Sequence, residues 1–150
     1  MKYTILFIGV FYFLYFPCNA QPLVVDWQQC YGGSDYEIGY SVQKINNGFM
    51  VFSGTSSIDG QVHGNHGMGD YWLIRTDLTG NILWQKCYGG NDDEGATKMI
   101  SCLDGGFLLC GETFSQTSPG EYNGDVYNNH GSADYWVVKF DSLGTVEWSK

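Results

Sequence analysis

Residues able to do chemistry gather in two short stretches of this chain. The first is DGQVHGNHGMGD (59–70), which sets His63 and His66 three apart between Asp59 and Asp70. Zinc needs three or four convergent ligands, and a calcium loop places carboxylates at alternate positions. A second copy of the motif, NHGSADYW (129–136), keeps only His130 and Asp134, with Tyr127 where His63 stood. Of the carboxylates, only Asp59 fits a calcium loop well. The metal candidates are therefore Asp59, His66, Asp70, His130 and Asp134. A plainer account stands beside them: Gly and Asn supply positive φ, while the two His–Asp pairs hydrogen-bond loop backbone at a strand entry. The plainer account is preferred, no cofactor is expected, and calcium stays open at this loop.

The second stretch is NDDEG (91–95), aligned with SDYEIG (34–39). Paired carboxylates run general acid/base chemistry or glycoside hydrolysis, but in a turn-rich acidic chain they more often accept backbone N–H bonds. No GxSxG elbow or HExxH helix is present. Gly32-Gly33 and Gly89-Gly90 follow strands yet lead into no helix, so they read as turns. No catalytic residue is assigned, and a hydrolase using Asp92, Asp93 and Glu94 ranks third among functions. Eleven tyrosines and five tryptophans make a carbohydrate-binding, lectin-like module the runner-up. Most of these aromatics sit in predicted strands; Tyr36, Tyr122 and Tyr127 alone look loop-borne.

The elements that position these residues come in repeats. WQQCYGGSDYE (27–37) matches WQKCYGGNDDE (84–94) at an offset of 57, while NHGMGDYW (65–72) matches NHGSADYW (129–136) at 64. Between them, NNGFMVFSGT (46–55) matches LDGGFLLCGET (103–113), with Gly48 over Gly105 and Gly54 over Gly111. Seven extra residues are assigned to a surface loop around SQTSPGEYNG. The first unit predicts strands over 40–45, 49–55, 71–76 and 81–87; the second predicts them over 97–101, 107–113, 135–140 and 145–150. Asn46-Asn47-Gly48 and Asp104-Gly105-Gly106 are the tight turns. No segment holds a helical period.

FMVF, YWLI, FLLC and YWVV are apolar at consecutive positions, which implies sheets covered on both faces. Small covered sheets in tandem make a β-propeller. The expected fold is therefore all-β, with tandem four-stranded antiparallel blades: repeat 1 about 27–83, repeat 2 about 84–147, and a third beginning at 148. Trp72 and Trp136 belong between blades; Trp27, Trp84 and Trp148 mark outer strands. VVDWQQCYGG reads as a leading fourth strand. Closed rings usually need four to eight blades, so the chain is expected to be the N-terminal part of a larger protein, with further blades of the same polypeptide as partners.

Residues 1–20 have Lys2, an apolar run from Ile5 to Phe16 and a small-residue stop at Cys18-Asn19-Ala20. That is the layout of a cleaved signal peptide, and the run falls short of the roughly 20 residues that span a bilayer. Removing Lys2 leaves six basic against sixteen acidic residues. Nucleic acid is thereby excluded, for want of a Lys/Arg cluster, and no membrane insertion follows cleavage. Of the four remaining cysteines, Cys30 and Cys87 lie one repeat apart, and Cys102 and Cys110 fall out of register across a hairpin. Buried free thiols are expected.

WQKCYGG, DGGF, GNHGMGDYW and DLTGNILWQK together resemble the repeats of large secreted bacterial surface proteins, many of which end in a type IX secretion sorting domain. The resemblance covers residues 27–150. It implies a propeller, export to the cell surface or medium, and a structural, adhesive or binding role toward a protein or glycan. No activity is established for such repeats. The chain departs from the pattern at Gln61, which replaces an aspartate, and where the second repeat lengthens before Asp125.

Overall fold

The computed structural model describes residues 22–150; the leader expected at 1–20 lies outside them. Every regular element described is a β-strand. The first unit holds β1 (Glu37–Ile45), β2 (Gly48–Thr55), β3 (Asp70–Thr76) and β4 (Ile82–Tyr88). The second holds β5 (Glu94–Ser101), β6 (Phe107–Thr113), β9 (Asp134–Phe140) and β10 (Val146–Ser149), with a small hairpin, β7 (Tyr122–Asn123) and β8 (Val126–Tyr127), inside its long loop. Each unit is an antiparallel four-stranded meander, ordered β1-β2-β3-β4 and β5-β6-β9-β10.

Turn chemistry sets these meanders. Asn47 takes φ 65° between β1 and β2, a left-handed conformation that asparagine tolerates. The two units also differ in register here. Phe52 pairs with Ser41 and Leu73, and Cys110 pairs with Lys98 and Val137, so the second strands match at an offset of 58. Gly111 therefore corresponds to Ser53 and not to Gly54, and Gly48 corresponds to Gly106 and not to Gly105, a Cβ at either meeting the equivalent carbonyl of Thr76 or Phe140. One of the seven extra residues sits in the β5–β6 turn and the rest in the long loop. At the other hairpin, Asp77 Oδ1 accepts the N–H groups of Thr79 and Asn81 at 2.8 and 2.9 Å. Asp141 Oδ1 does the same for Leu143 and Thr145 at 2.8 and 2.7 Å. The Asn81 side-chain amide, with Thr79, holds the Asp77 carboxyl down at about 2.

The core lies between the sheets. Met50, Phe52, Tyr71 and Leu73 from the first join Met99, Leu109, Trp136 and Phe140 from the second in one buried cluster. Tyr71 stacks against Trp136 with ring centroids 4.8 Å apart. Burying one such side chain contributes roughly 1.5–3 kcal/mol. The opposite face of the first sheet is covered as well, with Trp72, Ile74 and Cys87 packed around Val62 and Tyr31.

Two expectations need correction. Residues 27–31 are not a strand. The segment still packs as the outer strand β4 does: Trp27 lies against Phe49 at 5.8 Å, and Tyr31 Oη donates to Gly80 O at 2.6 Å. Tyr88 Oη donates to Gly144 O in the second unit. The leading segment has its side-chain anchors but, among the described residues, no neighbouring strand to complete a ladder, and a strand is defined by that ladder. The second correction concerns covered faces. Both faces of the first sheet are covered, whereas in the second Tyr135 stands 68% exposed and Ile100 49% exposed. Nothing among the described residues stacks on that side.

Candidate functional site

The chemistry-bearing residues converge on the loops at one end of the two sheets, and Glu37, Glu94, Asp59 and Asp70 are each held by a specific partner. Glu94 leaves the second Gly-Gly loop to begin β5. Its Oε1 accepts Thr113 Oγ1 at 2.6 Å and its Oε2 accepts Gly90 N at 2.7 Å. Glu37 repeats this in the first unit, accepting Thr55 Oγ1 at 2.9 Å and Gly33 N at 3.2 Å. The pattern extends one step: Ser57 Oγ accepts Asp35 N at 2.9 Å, and Ser115 Oγ accepts Asp92 N at 3.0 Å. The acidic cluster 91–95 is thus divided. Glu94 is buried structure, while Asp93 is exposed. The sequence signal for this was the recurrence of Thr-x-Ser at 55–57 and 113–115, which motif reading passed over.

The 59–70 loop is a strap over the Gly-Gly loop. Asp59 Oδ1 accepts Ser34 N at 2.7 Å and Gln61 Oε1 accepts Gly32 N at 3.0 Å. The Ser34 N–H holds the Asp59 carboxyl below its usual range. In the second unit Asn123 Oδ1 accepts Asn91 N at 3.1 Å, and Asp125 Oδ2 accepts Gly89 N at 3.3 Å. An aspartate and a glutamine in one repeat are replaced by an asparagine and an aspartate in the other. The acceptor oxygen survives both exchanges and the charge does not, so the position requires an acceptor and not an anion. Gln61 is no departure in function.

His66 and Asp70 form the other half of the loop and do not meet Asp59. Asp70 Oδ2 accepts His66 N at 3.1 Å and lies 2.7 Å from His66 Nδ1. Asp70 is fully buried, and its Oδ1 has no hydrogen-bond partner among the described residues. A Cβ at Gly89 would overlap both Asp70 Oδ1 and Glu94 Oε2, so carboxylates from the two units flank one glycine. Burial lifts the Asp70 carboxyl to about 6, with His66 opposing the rise and Glu94 adding to it. The second copy, His130 and Asp134, keeps the same geometry at 3.2 Å but stays open to solvent. Among the described residues, no group of three or more His, Cys, Asp or Glu side chains is placed to hold a metal.

The marker residues divide by unit. Trp136 lies in the cluster between the sheets, and Trp72 lies on the far face of the first sheet. Trp84 joins the core from β4, while Trp148 on β10 and Trp27 remain partly exposed. Gly48 begins β2, and Gly105 turns at φ 85°. The four cysteines described are free thiols, but only Cys87 is buried; Cys102 and Cys110 are half-buried and Cys30 is exposed, contrary to expectation. Tyr122 and Tyr127 stack on each other at 4.7 Å across the β7–β8 hairpin. The loop end is therefore a set of backbone latches in duplicate, joined between units at Asp70, Gly89 and Glu94. The chain matches no model of a known protein family and no curated protein sequence.

Proposed function

We propose that the chain is a non-enzymatic, exported β-repeat module with a scaffold or adhesive role at the cell surface, part of a propeller-type array. The observation that carries this reading is the face of the second sheet around Tyr135. Its equivalent in the first sheet is closed by the next unit, with Tyr71 at 0% exposure against 68% for Tyr135. An apolar face of this kind fits another repeat stacked upon it. The latches support the same reading, because the residues best suited to chemistry hold backbone instead. The leader at 1–20 and the resemblance to secreted surface repeats supply export and location as parts of the proposal.

The test is to lengthen the chain after Lys150 with a further copy of residues 87–150. Stacking predicts a higher melting temperature and loss of Tyr135 solvent accessibility, read by chemical labelling. An unchanged melting temperature with Tyr135 still labelled would overturn the reading.

A further inference from the structure

A groove of about 200 Å³ opens between the two sheets beside the starts of β1 and β5. Tyr36, Tyr40 and Phe114 are its aromatic walls, and Asp93, Glu94 and Glu112 its acidic groups, of which Glu94 is buried and already bonded to Thr113 and Gly90. Tyr36 is 67% exposed, so the ring stands available to a ligand. Glycines make the floor. A Cβ at Gly69 would fall 2.8 Å from Asp93 Oδ1, and one at Gly95 would fall 2.8 Å from Glu112 Oε1. Side chains at either position would displace the carboxylates or fill the space.

The groove is fixed across the seam between units. Glu94 N donates to Gly69 O at 2.7 Å across that seam, and within the second unit Phe114 N donates to Asp93 O at 2.9 Å. No Lys, Arg or His lines it, and neither Asp93 nor Glu112 has an ion-pair partner among the described residues. Elsewhere the fold pairs its acids where a cation is near: Lys139 meets Asp104 at 3.0 Å and Glu147 at 2.9 Å. With a net charge of −9, two unpaired carboxylates beside exposed aromatic rings select a cation carried on an apolar stem. Charge complementarity attracts the head, and the rings hold it by cation–π contact and cover the stem.

We propose that this groove binds a lysine- or arginine-bearing extended peptide segment of a partner protein. The proposal rests on the reading of the chain as a binding or scaffold module and names the chemistry of its partner. A peptide fits better than a free amine because Ile38 prolongs the groove and β1 is a sheet edge, where an extended backbone finds unpaired hydrogen-bonding groups.

The test is calorimetric titration of the full chain, recovered after export, with a blocked peptide of alternating lysine and glycine. The expected result is saturable binding that weakens at least tenfold in the Asp93→Asn/Glu112→Gln double variant and in Tyr36→Ala. All three residues are exposed, so circular dichroism should match the parent. Glu121→Gln, an acid outside the groove, should leave affinity unchanged. Equal weakening by Glu121→Gln would reduce the effect to bulk charge and overturn the site. So would undiminished binding in the double variant, binding of spermidine in place of the peptide, or binding of neutral glycans alone on an array. The stacking test reads melting temperature and Tyr135, so either proposal can fail without the other.

Discussion

Tyr71 and Tyr135 occupy the same position of the same motif, each followed by a tryptophan, and their surroundings are opposite. Tyr71 is packed at 5.3 Å from Phe52 and 4.8 Å from Trp136, with its hydroxyl toward Trp136 O. Tyr135 faces water. The neighbours on the strand are alike in both cases, so local sequence does not decide burial here; the next unit does. A repeat of this design cannot close its own outward face, and its stability comes largely from whatever stacks there. The interlock is tight. Gly111, in the second unit, has no room for a side chain, because a Cβ there would overlap Gly95 O and crowd Tyr71 Oη.

The comparison breaks most sharply under truncation of the two tyrosines. Tyr71→Ala removes a buried ring from the seam and should destabilise by about 3–5 kcal/mol, the range for large aromatic truncations in cores. Tyr135→Ala should stay within about 0.5 kcal/mol, as exposed substitutions do. Urea denaturation of both variants measures the difference. Equal losses would mean that the two faces are equally buried in solution and would overturn the asymmetry. On the chain lengthened by a third unit, the Tyr135→Ala loss should rise toward that of Tyr71→Ala.

A smaller effect separates Asp70 from Asp134. Asp70 ionises near 6 when folded, against about 3.9 for a free aspartate. The folded chain therefore holds a proton that the unfolded chain has released over that window. Stability from this group is fully present below about pH 4 and declines as pH rises to about 6, by on the order of 2 kcal/mol. Asp70→Asn should flatten this slope, since its side-chain oxygen still accepts the His66 N–H without a charge to bury. The same change at Asp134, which is partly exposed, should alter the melting temperature little at any one pH. Melting temperature followed from pH 4 to 7 reads both; an unchanged slope in Asp70→Asn would dismiss Asp70 as its source.

Much of this arrangement was legible in the residues, and the failures have physical causes. Strand limits fell within a few residues because Asn-Gly, Asp-x-x-Gly and Gly-Gly turns punctuate every segment; β6 at Phe107–Thr113 was read without error. Gly54 was set over Gly111 because either glycine satisfies a local match. Only the ladder hydrogen bonds reveal that the β5–β6 turn is one residue longer. The segment 27–31 carries the composition of β4, but composition cannot supply a partner strand. Four residues of β7 and β8 are too few for periodicity to register. At the loops, Asp70 and Asp134 accept the backbone N–H of His66 and His130, whereas the two imidazoles meet those carboxylates and not the backbone. The division of labour between Asp59 and Asp70, eleven positions apart in one loop, was not readable, because it depends on which Gly-Gly loop each one meets.

The smallest effect bears on why those latches differ between units. Asp59 and Asn123 accept the same backbone N–H in their respective repeats. If the oxygen alone matters, Asp59→Asn should change stability by less than about 0.5 kcal/mol, while Asp59→Ala should cost about 1 kcal/mol for the lost hydrogen bond. The converse change, Asn123→Asp, should be equally mild. Calcium offers the discriminating condition. A metal-binding Asp59 would make the parent melt higher with calcium than with chelator, and Asp59→Asn would abolish that gap. A latch predicts identical melting of the parent in both, because a neutral amide oxygen already does this work one repeat further along the chain.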